Sequence, residues 1–384
     1  MKATPLSLAA VVSALLLGAC STVEKLNPFG SSGPKVKPAE LAVIQPTAEL
    51  KSLWQANLGG AGEFTLSPAV VGDSVYAVAR DGAVARFDGG RQVWRIAAGQ
   101  LISGGVGCDG KLVVVGTPKG EVLAFDAATG REAWKARVSS EVLAAPVVAD
   151  GLAIVRSGDS RIFGFDAVDG KRRWVYQRST PALSLRSNVG VVLAGRLTLA
   201  GFPGGKLVAI ANNNGAAVWE VTVALPKGAT ELERVADVTS SPVVSGSTVC
   251  AAAFQGRVAC FDSNSGNTIW SRDLSSSAGL DIDGRYVYVA DDKGAVHALD
   301  RNTGASVWKQ DKLSNRGLSR PLALGNGVVV ADYQGVVHLL RREDGAFAAR
   351  ATTDGSAVRA EPVRYGAGLL MQTTNGALYA LEAR

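Results

Sequence analysis

KGEVLAFDAATGREAW, residues 119–134, is the phrase from which the fold is read, because it returns along the chain at nearly fixed spacing. Val122, Ala124 and Asp126 alternate with Leu123 and Phe125, the period-two pattern of a strand buried on at least one face. Asp126-Ala127-Ala128-Thr129-Gly130 then supplies an acidic side chain to cap turn amides and a glycine able to take positive φ, the chemistry of a short hairpin loop. Trp134 follows on the returning strand, so the unit is a hairpin with an aromatic latch.

The phrase recurs at residues 82–94 (with a shortened turn), 160–174, 205–219, 256–270 and 294–308. A degenerate copy at 335–349 carries Ala349 where the tryptophan should stand, and a last copy, NGALYALEAR at 375–384, stops where its tryptophan strand should begin. SLWQA, residues 52–56, is a tryptophan strand without a hairpin of its own, so the two termini together complete one unit. Trp54, Trp94, Trp134, Trp174, Trp219, Trp270, Trp308 and the Ala349 position mark eight units of about 40 residues, each the content of four short strands. The predicted fold is all-β: an eight-bladed β-propeller over residues 47–384, four antiparallel strands per blade. The alternative, an all-β solenoid, would want capped ends in place of complementary ones. The tryptophans read as blade-docking wedges, each burying on the order of 200 Å², roughly 5 kcal/mol gross.

Ahead of the repeats, residues 1–19 carry Lys2, an apolar run and small residues before a cysteine, the pattern of an export signal too short to span a membrane comfortably. Leu17-Gly18-Ala19-Cys20 resembles the lipobox of bacterial lipoproteins, which implies cleavage before Cys20, acylation of Cys20 and stable membrane attachment. Ser21 in the next position implies sorting to the outer membrane. Residues 20–46, rich in Pro, Gly and Ser, read as a flexible tether spanning about 25–30 Å.

The 45 glycines and 47% apolar residues fit a turn-rich all-β domain with a core. The net charge of +6 comes from 40 basic and 34 acidic residues that are interspersed without a long basic run, which argues against a nucleic-acid partner. Catalytic motifs are missing: there is no G-x-S-x-G, H-E-x-x-H or P-loop, and no C-x-x-C. His297 and His338 share one repeat position and read as blade residues. Asp88, Asp126, Asp166, Asp262 and Asp300 read as turn caps. Cys250 and Cys260 flank a hairpin turn, and either a cross-strand disulfide or two buried thiols fits that placement.

The functional clue is an irregularity. Spacing between tryptophan positions is 38–41 residues elsewhere but 45 between Trp174 and Trp219, and 51 between Trp219 and Trp270. The excess falls in residues 176–188 and 222–239, connections at matching points of neighbouring units that emerge on one face. They offer Leu183, Leu185, Arg186, Leu225 and Leu232, an apolar patch with charged neighbours, the composition of a partner site.

The repeat A-F-D-x-x-T-G-x-x-x-W resembles the blade motif of the quinoprotein-like propellers. With the lipobox, the eight units and LSLR at residues 183–186, the chain from Cys20 to Arg384 resembles the BamB family of outer-membrane assembly lipoproteins. That resemblance implies a non-enzymatic accessory of the barrel-assembly (BAM) machinery, without cofactor, anchored at the outer membrane and facing the periplasm. It implies binding to the periplasmic domains of the barrel subunit BamA; a scaffold of this kind could in addition receive unfolded outer-membrane protein precursors by pairing at exposed strand edges. Leu183, Leu185 and Arg186 match the family's BamA contact, and Asp237 fits the first of an acidic pair. Thr239 stands where the second acid belongs. The alternative is a quinone (PQQ)-dependent dehydrogenase, against which the chain lacks an adjacent Cys-Cys pair, an assignable calcium cluster and a haem segment.

Overall fold

Every repeat folds as one sheet. In the computed structural model, which describes residues 37–384, each sheet has four antiparallel strands in meander order. The export signal, Cys20 and the upstream part of the expected tether lie outside the described residues. Blades 1–7 cover residues 69–97, 104–137, 147–176, 191–222, 243–273, 279–310 and 322–352. Blade 8 takes three strands from residues 363–383 and its fourth, Leu50–Asn57, from the other end of the chain. Leu50 pairs with Ala383 and Asn57 with Ala377, so the ring closes through the segment around Trp54 as the repeat count predicts.

The core is divided among the joints between blades. Ile154, Ile162 and Trp174 of blade 3 pack on Val191, Phe202 and Ile210 of blade 4. The last joint is built alike, Leu370, Leu378 and Ala380 of blade 8 meeting Val75, Ala77 and Phe87 of blade 1. Because neighbours cover both faces of a blade, inner strands such as Leu112–Gly116 are buried at every residue, whereas the outermost strand Glu132–Arg137 buries mainly its tryptophan.

A bulge precedes the tryptophan position in each blade; in blade 3, Gly164 faces Trp174 but Phe165 faces Arg172. The extra residue shifts the alternation and aims the indole at the next blade. It also turns the preceding side chain outward, which is why Leu53, Val93, Val218, Ile269 and Val307 stand exposed.

The indoles act as wedges with a polar tip. Trp94, Trp134, Trp174, Trp219, Trp270 and Trp308 each donate their Nε1–H to a carbonyl in the hairpin turn of the following blade, those of Ala127, Ala167, Asn212, Ser263, Arg301 and Arg342. Trp54 departs from this pattern. The turn it meets is the shortened Asp88-Gly89-Gly90-Arg91, in which both glycines have positive φ, and its buried Nε1–H finds no acceptor. The same shortening changes Asp88. It takes the Arg86 guanidinium at 2.9 Å, whereas Asp126, Asp166, Asp262 and Asp300 accept turn amides as expected.

Ala349 also has a reason. Its blade faces the chain termini, where no hairpin turn exists to receive an indole. Thr47 and Ala48 donate to Ala348 O there instead, and Arg384 and Glu49 exchange backbone bonds.

The tether expected as far as residue 46 is, from Pro38 on, part of the propeller unit. Ala39 N–H donates to Ser314 O, Arg316 Nη1 donates to Ala39 O at 2.9 Å, and Arg350 Nη1 donates to Ala42 O. Leu41 packs against the joint of blades 6 and 7.

Candidate partner-binding site

Strands within a blade are joined by tight turns, so free surface collects on the connections between blades. The two longest are residues 177–190, joining blades 3 and 4, and residues 223–242, joining blades 4 and 5. These are the connections flagged by the tryptophan spacing, and they sit side by side.

One carboxylate binds them together. Asp237, on the second connection, accepts the Leu185 N–H on one oxygen at 2.7 Å and the Gly204 N–H of blade 4 on the other at 2.9 Å. Gly190 N–H donates to Ser241 Oγ at 3.2 Å, a second tie. With both oxygens engaged and 3% of its surface exposed, Asp237 lies beneath the 183–186 loop and positions it. Thr239, where a second acid was expected, is buried with its hydroxyl unpaired.

The anchored loop presents Leu183 at 41% and Leu185 at 39% exposure. Arg186 beside them is largely exposed and makes a 3.4 Å ion pair with Glu141. The Glu141 carboxyl is held below its ordinary range first by the Ser140 hydroxyl and then, against the opposing effect of burial, by Arg186 among others. A pair this exposed holds Arg186 weakly and leaves it free to exchange partners.

On the second connection Leu225 and Leu232 are more exposed still. Leu225 lines a depression with Lys227 and Arg257, and Asp237 braces the Leu183–Arg186 loop. Glu233 stiffens the second connection by accepting the Ala229 and Thr230 amides, bonds that hold its carboxyl below the ordinary range.

Beneath Leu185 lies a cavity of about 40 Å³ bordered by Arg156, Ser157, Ser184, Leu185, Arg186 and Asp237. Arg156 was not singled out in the sequence. It ends the strand Leu152–Arg156 and looks there like an ordinary strand terminus, but it is 8% exposed.

The two histidines pair with aspartates of their own blades, His297 Nε2 with Asp291 at 2.8 Å and His338 Nε2 with Asp332 at 3.2 Å. Among the described residues no group of three or more His, Cys, Asp or Glu is arranged to hold a metal. Cys250 and Cys260 face each other across adjacent strands of blade 5 and form a disulfide. Cys108 is a free thiol that burial pushes up to about 11.

Comparison with known proteins follows the same line. A family model described as outer membrane protein assembly factor BamB matches residues 80–310. The BamB of Bordetella pertussis is 44% identical over 284 residues, 73% of this chain and 72% of that protein. The Escherichia coli K12 protein of the same name is 35% identical over 304 residues, 75% and 76% of the two chains. The crystal structure of BamB from Moraxella catarrhalis superposes with a TM-score of 0.81 at 30% identity, covering 87% of this chain and all of that one. A quinohemoprotein alcohol dehydrogenase from Comamonas testosteroni has a TM-score of 0.70 at 14% identity over 86% of this chain and 76% of its own, a likeness of fold alone.

Proposed function

The chain belongs to the family of the outer membrane protein assembly factor BamB, and from that premise we propose that it is a non-enzymatic scaffold docking the periplasmic domains of BamA. The observation that carries the reading is the braced loop at residues 183–186. Two exposed leucines and an exchangeable arginine are held in fixed geometry by a buried carboxylate, so little loop entropy is lost on docking. Cys20 would carry the lipid that holds the propeller to the outer membrane on its periplasmic side. The outermost strand of each blade has an unpaired edge, which supports pairing with unfolded barrel precursors.

The dehydrogenase alternative has only the shared fold behind it. Leu183→Ala combined with Arg186→Ala should abolish co-purification of BamA from detergent-solubilised envelope while Tm stays within about 2 °C, as expected for surface truncations. Undiminished co-purification would remove the loop from the interface.

A further inference from the structure

Of the two arginines that are buried among the described residues, Arg316 has an acidic partner and Arg156 has none, and even partly buried arginines such as Arg320 and Arg178 pair with acids. Arg316 pairs with Asp332 at 2.6 Å, and Arg320 pairs with Glu361. Arg178 reaches Glu220 at 3.1 Å. Arg156 is 8% exposed, and among the described residues no carboxylate lies within ion-pair distance of it. Its Nη1 donates to Gly201 O, and its guanidinium lies 5.1 Å from the centre of the Phe202 ring. Burial alone brings its pKa down to about 10, with no acid to oppose the shift, so the group remains a cation at neutral pH. An uncompensated charge in such a place is costly, and a counter-ion supplied from outside recovers the cost.

The open flank of Arg156 is the cavity under Leu185. Ser157, Ser160, Ser184 and Ser187 also line it, together with Arg186, which reaches Glu141 at 3.4 Å. The acid in the wall, Asp237, keeps its charge but turns both oxygens to backbone N–H groups and makes no ion pair with Arg156. About 40 Å³ admits a carboxylate and excludes a nucleotide or a quinone cofactor.

We infer that this cavity takes the carboxylate of an acidic side chain inserted by the docking partner between the exposed leucines, with Arg156 as its buried counter-ion. The inference rests on the loop at 183–186 being the docking surface, and it names the chemistry the partner must bring there. Leu183 and Leu185 would form the apolar rim that keeps water from the pair, the arrangement in which an interfacial charge contributes most.

The test is the affinity of the full chain in detergent for purified BamA periplasmic domains. Arg156→Gln should weaken binding about 30-fold or more, the lower end of the range seen when one partner of a buried charge pair is removed. Its Tm should not fall, because an unpaired buried charge is lost. Arg156→Lys should retain binding within about tenfold of wild type. If Arg156→Gln binds like wild type while the Leu183→Ala, Arg186→Ala variant does not, the cavity inference is overturned and the docking surface stands. If the double variant also binds normally, the docking surface itself falls. Should Arg156→Gln melt several degrees low, the decision passes to wild-type chain in sodium acetate against sodium chloride at equal ionic strength. Weaker binding in acetate supports the inference; equal binding overturns it.

Discussion

Asp237 accepts the backbone N–H of Leu185 at 2.7 Å across 52 positions of sequence, so the loop that carries the exposed leucines is fastened to the neighbouring inter-blade connection by a buried carboxylate. Charge-assisted bonds of this kind contribute about 1.5–3 kcal/mol each. Asp237 makes two, and its second N–H partner, Gly204, belongs to the body of blade 4. The 183–186 loop is thereby braced on two sides.

Removing that brace should loosen the loop more than it unfolds the wheel. Asp237→Ala is expected to speed hydrogen exchange at the Leu185 and Gly204 amides and to weaken BamA binding at least about tenfold, with Asp237→Asn intermediate because one oxygen acceptor survives. Unchanged exchange at both amides would show that the carboxylate does not hold the loop.

The tryptophans differ in a way denaturation can read. Trp134→Phe deletes an indole N–H that donates to Ala167 O at 2.9 Å and should cost about 1–2 kcal/mol. Trp54→Phe removes a buried N–H that has no acceptor, so it should cost clearly less. Equal losses in guanidinium unfolding would contradict the role given to the shortened turn at Gly89 and Gly90.

Much of this was legible in the chain, and what was not has a common cause. Tryptophan spacing and the turn phrase give eight blades because each blade repeats the same local chemistry. The orphan strand around Trp54 gives the seam because its missing hairpin is also local. Asp237 is different: whether an acid faces solvent or clasps an amide 52 residues away depends on how two connections pack, and no periodicity reports that. Arg156 is hidden for the same reason, since its isolation is a property of blade 4 and of the loop above it. The residues from Pro38 to Pro46 look flexible by composition, but they are held by Arg316 and Arg350, which lie far off in sequence.

Both of those arginines act on a buried titratable group. His338 is buried, with Arg350 Nε donating to its Nδ1 at 3.2 Å and its Nε2 paired to Asp332, which also takes Arg316. Burial, foremost, lowers the His338 pKa; Asp332 opposes this and the two arginines add to it. A histidine with a depressed folded pKa is protonated first in the unfolded chain, so its stability contribution is complete above about pH 6.5 and is lost as pH falls below that. The Asp332 carboxyl, held low by His338 and Arg316 despite burial, contributes its own loss only near and below about pH 4. Tm should therefore decline between pH 7 and 5, and His338→Gln should flatten that decline. An unaltered slope in the variant would assign the acid sensitivity elsewhere.

The central claim is that the braced loop, and not the blade rim, meets BamA. A photo-crosslinking amino acid placed at position 183 in intact cells tests it, with position 168, an 86% exposed valine in the hairpin turn of blade 3, as the comparison. The account predicts a BamA adduct from position 183 and none from position 168; an adduct from 168 with none from 183 would contradict it.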